Sequence, residues 1–223
     1  MTVDQMRATT KQPNPTVGSV FKPAHIKRHL KQRSKMRVSR GAVICMDAVL
    51  TYLTMEIVEA GDGVAKEEGK KKLLPKHLNA AIHKDAELSG LLTGWAVSSG
   101  SAVPSPQPAL IKRLAGQKQT VQRMKAQGHQ YRSSVKRAAR KCGPGEVVLS
   151  ASALEVMTDI VVHLLDELGD AAANLASKVD KETIGSDDVV AASELVLTGE
   201  LRQHALAASK NALAKATPRR AAA

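Results

Sequence analysis

The chain has 223 residues, with 33 Lys or Arg against 21 Asp or Glu and a net charge of +12 near neutral pH. This length allows one or two domains with a substantial core, and the cationic excess favours a polyanionic partner, nucleic acid before membrane. Aromatic residues make up only 2% of the chain, which argues against a module that stacks single-stranded bases on rings and leaves backbone-directed duplex binding.

Charge is unevenly spread: +7 over residues 1–111, +10 over 112–141 with no acid at all, and −5 over 142–223. Such a basic stretch cannot fold on itself, and it separates two segments of like layout: short helix, loop, long apolar helix, loop, short helix. Cys45 and Cys142, one in each segment, form no disulfide framework and point to a reducing compartment. No apolar run long enough to cross a bilayer and no leader pattern over 1–19 is expected.

Residues 1–20 read as a polar tail interrupted by Pro13 and Pro15. Pro23 can open a short basic helix with Ile26 and Leu30 on one face. His25 and His29 fall one turn apart on it, yet no third ligand follows at metal spacing, so solvated or DNA-facing histidines are favoured over zinc. After a loop over 34–40 comes a long helix near 42–68, with Ile44, Ala48, Val49, Leu53, Ile57 and Val64 at helical spacing. Gly61 and Gly63 are expected to loosen its last turns. A short extended piece ends at Leu74, Pro75 opens a helix to about 84, and another runs to about 92.

The second segment starts with a basic helix near 133–142, stopped by Gly143, Pro144 and Gly145. Ser152 and Glu155 have the spacing of a capping box opening a long helix to about 178. Its apolar face includes Leu154, Met157, Val161, Leu164, Leu168 and Leu175. A loop over 179–185 holds an extended 182–184; Ser186, Asp187 and Asp188 then start a helix to about 197, with acids at its positive end. A last helix spans about 198–216.

A helix of about 27 residues is about 40 Å long, and two short helices from its own half cannot cover its apolar stripe. Crossing the two long helices buries both stripes and sets the first loop of each half beside the second loop of the other.

The runs AVLTYLTMEIVEAGDGVAKEEGKKKLLPKHLNAAIHKDAELSGLL and GWAVSSGSAVPSPQPAL resemble core histone 2A over about residues 21–113. LTGELRQHALAASKNALAKAT and the capped long helix resemble core histone 2B over about 131–217. Departures include Ile160 and Leu165 where aromatic residues are usual and Lys178 where a tyrosine is usual.

The resemblance implies an all-α pair of histone folds joined as a single-chain pseudo-heterodimer. The implied layout is a flexible tail over 1–20, a histone 2A-like fold over 21–111, a basic linker over 112–130, a histone 2B-like fold over 131–217 and a tail over 218–223. It further implies that 94–110 docks onto histones 3 and 4. DNA contacts are assigned by the same likeness to Arg28, Arg37, Arg40, Lys71, Lys72, Lys136, Arg137 and Arg140, with Arg37 entering the minor groove. Glu56, Glu59, Asp62, Asp85, Glu87 and Glu200 match an acidic patch that receives arginine anchors, weakened by Thr51, Ala86 and Ala208. For any one of these side chains the plain alternative is a solvated surface residue.

The expected function is therefore structural: fused core histones that join histone 3/4-like proteins and a second copy of the chain to wrap double-stranded DNA without sequence preference. No membrane, small-molecule substrate, metal or other cofactor is implied. Fusion resembles the histone doublets of large DNA viruses, implying viral genome packaging in chromatin of a host nucleus, a viral factory or a virion. A histone-fold subunit of a transcription complex, acting through protein contacts, is the alternative, and an enzyme comes third because no nucleophile, base and orienter are placed together.

Overall fold

The computed structural model describes residues 19–93, 129–142 and 147–216. In the first half, α1 (Pro23–Ser34) starts on its proline and stops at Lys35, whose left-handed backbone (φ 59) turns its N–H back to the Lys31 carbonyl at 3.0 Å. β1 (Arg37–Val38) leads into α2 (Arg40–Glu67), capped by Ser39 Oγ accepting the Ala42 N–H at 3.0 Å. β2 (Lys72–Leu73), α3 (Pro75–Lys84) and α4 (Ala86–Leu91) complete it. The second half repeats the order with α5 (Arg132–Lys141), β3 (Val148–Leu149), α6 (Ala151–Lys178), β4 (Thr183–Ile184), α7 (Ser186–Val196) and α8 (Gly199–Ala216).

The long helices α2 and α6 are 28 residues each, about 42 Å at 1.5 Å per residue, and they share one core. Leu50, Leu53 and Ile57 of α2 are fully buried in the cluster that holds Ile160, Leu164 and Leu165 of α6. Each such side chain contributes about 1.5–3 kcal/mol by leaving water, which neither half could collect alone. Exchange between halves is reciprocal: α1 packs on α6, α5 packs on α2, and α8 lies along α2. The aliphatic Ile160 and Leu165 fill the places where aromatic residues were expected without exposure.

Both β pairs join one half to the other in parallel. Arg37 is opposite Thr183 and Val38 opposite Ile184; Lys72 is opposite Val148 and Leu73 opposite Leu149. The first loop of each half thus lies beside the second loop of its partner half, as the need to cross the long helices requires.

Several sequence expectations change on packing. Val20, placed in the tail, is fully buried, and the Phe21 N–H is held by Asp47 Oδ1 at 2.9 Å. The cap of α6 is Ser150, which accepts the Ala153 N–H at 3.1 Å, rather than Ser152. The Ser150 N–H bonds the Leu73 carbonyl at 3.0 Å, so the β2–β3 pairing fixes which serine caps, and Glu155 instead faces Arg132 at 3.6 Å. Gly61 does not loosen α2, which runs to Glu67; a Cβ there would fall 2.9 Å from Leu73 Cδ1, so the glycine lets β2 and α3 close on the helix. Among the described residues one helix, α2, is long and apolar enough to cross a membrane, contrary to the sequence expectation, and 67% of the 18-residue window that qualifies is buried within the fold. The docking segment 94–110, the linker 112–130 and the C-terminal tail fall outside the described residues, save for His129 and Gln130 at the linker's end.

Candidate nucleic-acid interface

The two cross-half loop pairs flank α2, one just before its first turn and one just after its last, so they stand about 40 Å apart. Arg37 and Arg40 are exposed at the β1–β4 pair, and Lys71 and Lys72 are exposed at the β2–β3 pair. α5 presents Lys136, Arg137 and Arg140 to solvent because Ser134, Val135, Ala138 and Ala139 form its buried face. Arg28 is exposed on α1.

Other cations are already committed. Arg33 holds Asp170 at 2.6 Å and Asp166 at 3.2 Å, Lys66 holds Asp62 at 2.6 Å, and Lys181 holds Asp188 at 2.8 Å. The carboxylates beside Arg33 and Lys181, bonded directly to their side chains, hold both pKa values above the ordinary range. Among the described residues, by contrast, no carboxylate pairs with Arg37, Arg40, Lys71, Lys72, Lys136 or Arg137. An exposed cation without an internal partner loses little on meeting a phosphate and releases counterions when it does.

No family model matches the chain. It is 37% identical over 102 residues to a histone 2A of Triticum aestivum, a match covering 45% of this chain and 68% of that protein. It is 39% identical over 89 residues to a histone 2B of Encephalitozoon cuniculi, covering 40% of this chain and 68% of that one. The chain belongs to the histones. The histone from Methanopyrus kandleri, at 19% identity and a TM-score of 0.50, shares the fold over 82% of this chain and 99% of its own, a span that takes in both halves. This histone is a structural protein of chromatin and not an enzyme.

On the acidic side the structure distributes roles that the sequence lumped together. Asp85 caps α4, its Oδ1 accepting the Glu87 and Leu88 N–H groups at 2.8 and 3.0 Å. Glu87 reaches across the halves to cap α8, accepting the Glu200 and Leu201 N–H groups at 3.0 and 2.9 Å. Asp62 is taken by Lys66. Glu200 is exposed, while Glu56 and Glu59 are half-buried on α2. Tyr52, whose hydroxyl lies 3.3 Å from His204 Nδ1, has its pKa raised by burial and then by the charges of Glu56, Glu87 and Glu200, placing those three acids around one ring.

The α1 histidines are neither solvated together nor arranged for a metal. His29 is buried, its Nε2–H donating to Asp166 Oδ1 at 2.7 Å, and His25 packs edge-on to Tyr131 with ring centroids 6.2 Å apart. Burial first, then Arg28 and Lys22, lowers the His25 pKa. Among the described residues no three His, Cys, Asp or Glu converge as metal ligands. Tyr131, at the start of the second half, is fully buried against Phe21 at 6.1 Å, so the residue that follows the linker is anchored on the first half. Sequence patterning held no signal for this or for the Glu87 cap, since both contacts join residues more than a hundred positions apart.

Proposed function

We infer that this histone wraps double-stranded DNA as one arm of a nucleosome-like particle, with histone 3/4-like proteins and a second copy of the chain. The observation that carries the reading is the cross-half loop pairing, which presents Arg37 and Arg40 at one end of α2 and Lys71 and Lys72 at the other, none tied to a carboxylate among the described residues. Two cationic points about 40 Å apart suit a backbone followed over a span, and cationic side chains on loops with few aromatics suit contact without base reading. Arg28 and the α5 cations Lys136, Arg137 and Arg140 extend the track.

The remaining parts follow from the resemblance. Residues 94–110 dock on the histone 3/4-like partner, the linker 112–130 keeps a histone 2A-like fold (21–111) and a histone 2B-like fold (131–217) at high mutual concentration, and Glu56, Glu59 and Glu200 offer what acidic patch this chain has. Two histones in one chain support placing it with the fused histones of large DNA viruses, packaging a viral genome in a host nucleus, viral factory or virion.

Titration of full-length protein with duplexes of different sequence, at several salt concentrations, tests the reading. Affinity is expected to fall steeply with salt and to vary little with sequence. Arg37→Ala and Lys72→Ala should each lower it and flatten the slope of log K against log salt by about 0.9, whereas Glu56→Ala and Glu59→Ala should not. A large preference for one sequence, or equal losses from acid and cation variants, would contradict it.

A further inference from the structure

The two halves are built alike, yet where they meet they are not interchangeable. α2 and α6 are each 28 residues behind a serine cap, so Val58 corresponds to Gly169 and Met55 to Asp166. In that register the buried Met46, Leu53 and Ile57 match the buried Met157, Leu164 and Leu168. On the first helices, the buried Ile26, His29 and Leu30 of α1 match Val135, Ala138 and Ala139 of α5. The crossed packing agrees with both registers. Arg33 of α1 reaches Asp166 of α6 at 3.2 Å, and Cys142, its counterpart at the end of α5, donates its thiol to the Met55 carbonyl of α2 at 3.6 Å.

The α1–α6 contact sets a large apolar side chain and a polar one on a small and acidic receiving site. A Cβ on Gly169 would fall 2.6 Å from Leu30 Cδ2, closer than real Cβ contacts come, so α6 is open at this point to a fully buried leucine. One residue earlier on α1, the buried His29 donates its Nε2–H to Asp166 Oδ1 at 2.7 Å. The α5–α2 contact has the opposite fit: Val58 is the buried residue on the long helix, and the matching α5 residues are Ala138 and Ala139.

Pairing like with like fails at both points. α1 laid on the α2 of another copy drives Leu30 into Val58 and sets His29 against Met55, with no carboxylate to receive its N–H. α5 laid on another α6 leaves a void between Ala139 and Gly169, and leaves Asp166, only 15% exposed, without its donor. The Arg33–Asp170 pair does not discriminate, because Glu59 stands on α2 where Asp170 stands on α6.

We propose that His29 and Leu30 on α1, fitted to Asp166 and Gly169 on α6, form an address that selects the partner: each first half accepts a second half, of its own chain or of another copy, and rejects a first half. This selection does not depend on DNA wrapping.

Two full-length chains of distinguishable mass, one with Leu30→Ala and the other with Gly169→Val, are refolded from urea singly and as a mixture and weighed by native mass spectrometry. About 50 µM of each keeps intermolecular pairing well below the roughly millimolar effective concentration of a half within its own chain. Each substitution spoils the fit inside its own chain, by a void or by a clash. A species with one chain of each kind relieves both faults: one crossing has the natural leucine and glycine, and the other combines the two substitutions in the fit of Ala139 on Val58. That mixed species should exceed either variant paired with itself by roughly tenfold. Both substitutions in one chain should give a urea midpoint above those of the two single variants. Mixing His29→Asp with Asp166→His repeats the test for the polar contact, with the same expected result. Absence of the mixed species, random combination of the variants, or a double variant no more stable than the single ones overturns the proposal.

Discussion

Asp166 and Asp170 offer a test of what holds α1 of the first half to α6 of the second. Counted by hydrogen bonds, Asp170 is the stronger anchor: both its oxygens take Arg33 nitrogens at 2.6 Å. Burial argues the other way. The Arg33 and Asp170 side chains are 44% and 46% exposed, where an ion pair contributes about 0.2–1 kcal/mol. Asp166 is 15% exposed and receives the Nε2–H of a His29 side chain only 4% exposed. A hydrogen bond to a charged group contributes about 1.5–3 kcal/mol, and deleting the acceptor strands a ring whose Nδ1 already lacks a partner. Asp166→Ala should therefore cost about 2–3 kcal/mol and Asp170→Ala under about 1 kcal/mol. Urea denaturation of the full chain, read as midpoint shifts at constant slope, measures both. A double-mutant cycle with His29→Ala should return a coupling of about 1–2 kcal/mol for Asp166 and near zero for Asp170. Equal costs for the two acids, or no coupling between His29 and Asp166, would refute the reasoning that burial decides.

Three further outcomes follow from the same geometry. Gly199→Ala should destabilise by more than about 1 kcal/mol, since its φ is +56° and a Cβ would run into the Glu87 carboxylate; Glu87→Ala, which uncaps α8, should cost about 1 kcal/mol in the same denaturation assay. Burial, then Asp187, pushes the Cys45 thiol from 9.0 up to about 11; because the folded pKa is the raised one, this stability is intact below pH 9 and lost as pH climbs to about 11. At about 1.4 kcal/mol per unit the loss approaches 3 kcal/mol, and Cys45→Ala should show a smaller stability drop across pH 9–11 than the natural protein. Deleting residues 94–110 should leave folding intact and weaken addition to a histone 3/4 assembly in gel-shift stoichiometry; unchanged incorporation would remove the docking role.

What could be read from the sequence was what repeats or has a period. The apolar stripes of α2 and α6 could not be covered within one half, which called for crossing them with adjacent loops, while the placing of Arg37 and Lys72 in those loops as DNA contacts came from the histone resemblance. Contacts decided by three-dimensional neighbours were not legible. Ser150 and Ser152 are equal candidates as caps until the Leu73 carbonyl claims the Ser150 N–H. Glu87 is one more acid on a polar face until the start of α8 arrives beside it, and His29 reads as an outward-facing residue until Asp166 of the other half covers it. Val20 lacks a helical period to mark it as core, because it is buried by an extended entry and not by a helix.

The most direct test of the central claim is reconstitution of the full chain with histones 3 and 4 on long DNA of mixed sequence, followed by nuclease digestion. The account predicts a discrete protected fragment, of one length on unrelated sequences, that is lost when Arg37, Arg40, Lys71 and Lys72 are replaced together by Ala. Digestion to a continuous smear, or protection confined to one sequence, would contradict it.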